Sequence, residues 1–212
     1  ARPPYWDLGR AATEAAGADF ALGAAGAGYG ATTATLKGGL GSASDITSTG
    51  YRVGALVAVN ALGSATIGEG PHFWAAAFEK GAEFGGRGLP PRFDADALAI
   101  RMKGDAGEST TIAVVATDAP LTKPQAKRVA VQAHDGLAMA LQPAHAALDG
   151  DVVFAAATGA SSRAATLREL TEIGAVAARC LARAVARGVY EARALPFAGA
   201  QADWRSRFGG AR

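Results

Sequence analysis

The sequence predicts a layered α/β fold, and three observations carry that prediction. Apolar runs of strand length recur at 53–59, 112–116 and 152–157, and helical periodicity follows each of the last two, giving the order βαβα after Thr110. Half of the 212 residues are apolar, enough for one domain-sized core. Glycine accounts for 28 of the 212, about double the average of ~7%. Such an excess serves tight turns and backbones that approach each other or a ligand closely.

In chain order, residues 7–16 (DLGRAATEAA) have helical composition, with Gly17 as a stop. The Gly-rich stretch 23–44 cannot fill a core by itself, so its glycines serve strand packing or a site loop. Residues 51–60 (YRVGALVAVN) read as a strand buried on both faces. Residues 67–108, rich in Gly, Pro and aromatics, read as a long surface excursion, a length that is unusual unless the loop is functional, disordered or processed. After the strand 112–117, Thr122 caps a helix with Pro124 in its first turn. Ala126, Val129, Ala130, Ala133, Leu137, Ala140 and Leu141 give that helix one apolar face, and Pro143 ends it. The strand 152–157 and an Ala-rich helix over 163–188, closed by Gly188, complete the pattern, leaving residues 198–212 as a tail.

Composition narrows the function classes. The charges balance to +2 with no basic block, which argues against nucleic acid. No apolar run reaches the ~18 residues of a membrane span and no signal peptide is visible, so a soluble, cytoplasmic protein is expected. The single cysteine, Cys180, excludes an internal disulfide and a Cys-based metal cluster, and reads as a small buried hydrophobe. His72, His134 and His145 lack metal-ligand spacing. His134 and His145 read as structural.

Several residues could carry chemistry. Ser109, Thr110 and Thr111 stand in a row before an apolar strand. Three hydroxyls there fit an ordinary strand entrance. They also fit a nucleophile that becomes a chain terminus, because an N-terminal Thr can use its own α-amine as the base, and such amines ordinarily titrate at roughly 7.7–8.0. Asp149-Gly150-Asp151 is either a turn or a pair of carboxylates aimed at one site. Asn60, ending an apolar strand, is either a turn former or an oxyanion donor. Lys37 and Tyr29, among glycines, are either exposed or turned inward.

Taken together, GAGYGATTATLKGGLGSAS, VGALVAVNALGS, STTIAVVATDAPLTKPQAKRVA and QPAHAALDGDVVFAAATG resemble peptidase family S58. That group contains L-aminopeptidase/D-amino-acid esterase-amidases, β-peptidyl aminopeptidases and nylon-oligomer endohydrolases. The resemblance runs from about Gly23 to the final helix. It implies a four-layer αββα sandwich of the N-terminal-nucleophile type and a precursor that cleaves itself between Ser109 and Thr110. Residues 1–109 would then form an α-subunit part and 110–212 a β-subunit part of one domain. It further implies Thr110 as nucleophile, Asn60 as oxyanion donor, and Asp149 and Asp151 as residues that position the nucleophile. The family lysine falls on Lys37, or on Thr35 in a shifted register. No metal or organic cofactor is implied, and the expected partners are a small peptide or amide substrate and further copies of the chain, as a tetramer. Two departures stand out: Ser109 occupies a position where many relatives carry Asn, and family precursors extend upstream of the residue matching Ala1, supplying strands and part of the pocket. The alternatives are an acyltransferase of the ornithine acetyltransferase type and an unprocessed, non-catalytic binding module.

Overall fold

A computed structural model describes residues 3–104 and 109–209. Four strands form one mixed sheet in the order β1-β2-β3-β4: β1 Gly39–Ile46, β2 Arg52–Val59, β3 Ile112–Thr117 and β4 Val152–Ala157. β1/β2 and β2/β3 are antiparallel, whereas β3/β4 is parallel. A parallel pair needs a crossover. Here α2 (Lys123–Ala138) supplies it, and α3 (Leu167–Glu191) follows β4. Both helices pack on the same face of the sheet. The described residues therefore build one sheet and one helix layer of the layered α/β fold.

Alternation decides which face is buried. Val53, Ala55, Val57 and Val59 of β2, with Ala113 and Val115 of β3, meet α3 and α2 and are nearly inaccessible. Their neighbours on the opposite face, including Leu56, Ala58 and Val114, are only half-buried, and Ile112 and Phe154 are exposed. The expectation that residues 53–59 are buried on both faces is thus corrected, because helices cover one side only.

α3 begins at Leu167, not at 163, behind the N-cap Thr166, which forms a reciprocal capping box with Glu169. Nor does Gly188 end it. Gly188 lies inside the helix, at its crossing with β1. A Cβ on Gly41 would stand 1.8 Å from the Ala184 carbonyl, and one on Gly188 would stand 3.0 Å from the Gly39 carbonyl. Gly39 and Gly41 therefore serve a close helix–strand contact, and the Gly-rich stretch contains the first strand.

Residues 67–104 are a surface excursion only in their second half: 85–104 stay largely exposed, whereas 67–84 fold into the body of the protein. Phe73, Ala75 and Phe84 enter the core, and Phe73 packs against Phe84 and Trp204 with ring centroids 5.4 and 5.9 Å apart. Buried Arg183 of α3 grips Glu83 through Nε and Nη2 at 2.6 and 2.9 Å, while its Nη1 donates to the Ser44 carbonyl. A buried, doubly hydrogen-bonded pair holds this segment in place. The expected tail likewise folds, with Trp204–Phe208 forming helix α4 capped by the Asp203 carboxylate. Helix α1 spans Tyr5–Glu14 and buries none of its residues. Cys180 is buried, as its place on the α3 face predicts. Among the described residues, no helix is long and apolar enough to cross a membrane.

Candidate active site

Strand register assembles the site. β3 and β4 pair in parallel with Ile112 opposite Val152, and the same offset continues upstream to Ser109 opposite Asp149. Thr110 therefore lies beside Gly150, and Thr111 beside Asp151. The Ser109 carbonyl accepts the Gly150 N–H at 2.9 Å and the Thr110 hydroxyl at 2.6 Å. Thr110 N–H donates in turn to the Asn60 carbonyl at 2.9 Å, tying the Ser109–Thr110 peptide to the end of β2. A hydroxyl beside a carbonyl whose oxygen already takes a backbone N–H is the geometry that favours negative charge growing on that oxygen. A Cβ at 150 would come 2.5 Å from the Thr110 hydroxyl, so any side chain there would push that hydroxyl aside.

The two carboxylates have separate environments. Asp151 accepts the Thr111 N–H on Oδ1 at 2.9 Å, while its Oδ2 faces His145 Nδ1 at 3.2 Å. His145 takes the left-handed conformation at φ 54°, and its ring lies against His134 with centroids 5.0 Å apart. Burial, aided by the His145 charge, lowers the His134 pKa from the ordinary histidine value. Both oxygens of Asp149 are buried, with no hydrogen-bond partner within 3.5 Å among the described residues. Desolvation first, then the like charge of Asp151, pushes its carboxyl up to about 6. One carboxylate is anchored while its neighbour stays poised to gain or lose a proton near neutrality.

Asn60 follows β2 directly. Its Oδ1 accepts Thr32 N–H at 3.1 Å and the Lys103 ammonium at 2.7 Å. Lys37 is buried, with Nζ donating to the carbonyls of Gly28, Ala31 and Gly38 at 2.6–2.8 Å. Burial, then the Lys103 charge, lowers it to about 8. Lys37 thus braces the loop that walls an open cavity of about 310 Å³, lined by Ala27, Ala31, Ala58, Asn60, Thr110 and Ile112. Thr35, the alternative in the shifted register, pairs its hydroxyl with Ser64 instead. Tyr29 is exposed. The loop 105–108 ahead of the hydroxyls lies outside the described residues.

The family model for peptidase family S58 matches residues 3–202 of this chain. The chain belongs to that family. An uncharacterized aminopeptidase of Mycobacterium bovis is 41% identical over 98% of this chain and 63% of its own length. The chain therefore spans less than two thirds of that relative. Among solved structures, a Burkholderia sp. β-aminopeptidase superposes with TM-score 0.64 at 22% identity, over 94% of this chain and 55% of that one. An L-aminopeptidase D-Ala-esterase/amidase from Ochrobactrum anthropi, a variant of the N-terminal-nucleophile hydrolase fold, gives TM-score 0.61 at 22% identity, over 91% and 52%. These likenesses show the fold of this S58 chain.

Sequence reasoning misses two contributors to the site. Gly150 stands in the sequence only as the residue between two aspartates, but it is also the donor to Ser109 and the space for Thr110. Lys103 carries no signal, because RMKG at 101–104 resembles any exposed loop.

Proposed function

We propose that this chain is the catalytic portion of a self-processing aminopeptidase, with Thr110 as nucleophile once the Ser109–Thr110 bond is cut. The contact between the Thr110 hydroxyl and the Ser109 carbonyl, with Gly150 N–H on the same oxygen, carries this reading. In the first step Thr110 Oγ1 adds to the Ser109 carbonyl carbon and its proton passes to the departing Thr110 nitrogen. The C–N bond breaks and an ester remains. Water then hydrolyses that ester, leaving Ser109 as a carboxylate terminus and Thr110 with a free amine. In turnover, that amine takes the hydroxyl proton as Oγ1 attacks a substrate amide carbonyl, and returns it to the leaving amine. A second water releases the acyl group. Asn60 donates to the oxyanion, and Asp149 and Asp151 hold the new terminus.

The substrate class in this reading is small peptides and amino-acid amides, with β-peptides and 6-aminohexanoate oligomers as further candidates. The names of the Burkholderia and Ochrobactrum proteins support amide bonds next to a free amino group. Intact-mass analysis tests the first step. Wild type is expected to yield two fragments meeting at Ser109 and Thr110, and Thr110→Ala a single uncut chain. An uncut wild type after prolonged incubation would defeat the reading.

A further inference from the structure

Lys103 belongs to none of the family motifs, yet its Nζ lies 2.7 Å from Asn60 Oδ1 and 3.3 Å from the Asn60 carbonyl. Its own N–H donates to the Leu62 carbonyl at 3.0 Å, so the backbone at 103 is fixed beside the end of β2. A side-chain amide presents an acceptor at one end and donors at the other, and its orientation is set by what it faces. Thr32 N–H and the lysine ammonium are both donors with nothing to accept, so the end between them is the oxygen. We infer that Lys103 is a positioning residue for the Asn60 amide, holding Oδ1 between itself and Thr32 and thereby aiming Nδ2 the other way. A cation on Oδ1 also withdraws electron density from the amide, which strengthens its N–H groups as donors. The inference rests on the reading of Asn60 as the oxyanion donor.

Among the described residues, two charged groups act on the ammonium. Asp149, ahead of β4, favours its charged form, and Lys37, ahead of β1, is itself lowered by it. Burial outweighs the aspartate and brings Lys103 down to about 8. Methionine at 103 would keep the stem without the charge, whereas arginine would keep a charge that does not titrate.

The experiment follows self-cleavage of wild type, Lys103→Met and Lys103→Arg by intact mass, together with the Asn60 side-chain amide signals by NMR from pH 6 to 10. Lys103→Met is expected to cut at least tenfold more slowly with an unchanged melting temperature. Lys103→Arg should recover to within about threefold of wild type. In wild type the Asn60 signals should titrate with a midpoint near 8, and in both variants that step should vanish. Wild-type cutting by Lys103→Met, or equal slowing in both variants, overturns the inference, as does an Asn60 signal indifferent to the substitutions. An uncut wild type whose Asn60 amide still follows Lys103 would instead sink the self-processing reading and leave the Lys103–Asn60 coupling standing.

Discussion

The amide N–H of Gly150 donates to the carbonyl oxygen of Ser109 at 2.9 Å. This ladder bond extends the β3/β4 pairing into the site, so the fold itself places a donor on the oxygen of the bond proposed to break. The same step of register sets the Thr110 hydroxyl where a side chain at 150 would displace it.

Gly150→Ala should therefore act on chemistry more than on stability. Its Cβ would stand 2.5 Å from Thr110 Oγ1, and rotating that hydroxyl away relieves the clash while removing the nucleophile. We expect self-cleavage to slow by about two orders of magnitude, the range seen when one oxyanion donor is lost or misplaced. The melting temperature should fall by only a few degrees. Gel analysis of the purified variant over days, beside wild type, measures both fragments and precursor.

Asp149 supplies a pH prediction with a definite sign. Its folded value, about 6, lies above the ordinary aspartate value because burial and Asp151 disfavour the charge. Such a group contributes stability fully below its unfolded pKa of ~3.9, and that contribution is lost as pH rises through the folded value. Asp149→Asn should thus be more stable than wild type at pH 8, by roughly 1 kcal/mol or about 2–4 °C in melting temperature. The difference should vanish near pH 4. If the ionised form also accepts a proton during cleavage, the wild-type rate should rise through pH 6, and the variant should lack that limb. Calorimetry and cleavage rates across pH 4–8 decide both parts.

Asp151 is expected to behave differently. It is anchored by Thr111 N–H and His145, so its removal leaves a backbone donor beside β3 without a partner. Asp151→Ala should cost about 1–3 kcal/mol, the usual penalty for a buried donor left unsatisfied. Urea unfolding would show it as a lower midpoint at an unchanged slope.

Much of this arrangement is legible in the chain itself, for definable reasons. Ile112–Thr117 and Val152–Ala157 read with their observed bounds because short apolar runs between turn residues have few alternatives. The Thr122 and Thr166 helix starts differ instructively. Pro124 exposes the first, whereas Thr166 follows two alanines that could themselves extend a helix, and its reciprocal bond to Glu169 singles it out. β1 is hidden because GLGSAS lacks bulk, its glycines answering to a helix that crosses them and not to strand propensity. Phe73, Phe84 and Trp204 read as loop residues because their partners lie far away in sequence. At the site, the hydroxyl row and the aspartates are visible as types, whereas Lys103 depends on a meeting with Asn60 that no local pattern encodes.

The helix–strand crossing gives the most severe stability test. Gly41 faces the α3 backbone, where a Cβ would stand 1.8 Å from the Ala184 carbonyl and 2.7 Å from Gly188 N. Neither neighbour is the flexible end of a side chain, so the helix must move off the sheet. Gly41→Ala is expected to lose about 3 kcal/mol or more, at the upper end of overpacking costs, lowering the melting temperature by roughly 6–12 °C. Gly54 provides the control. It lies on β2 with its nearest neighbours 3.9 Å from a built Cβ, and alanine is the better strand residue because it loses less backbone entropy. Gly54→Ala should match or slightly exceed wild type in thermal unfolding. Equal losses in the two variants would mean that the sheet tolerates no added side chain anywhere, and would remove the crossing as the cause.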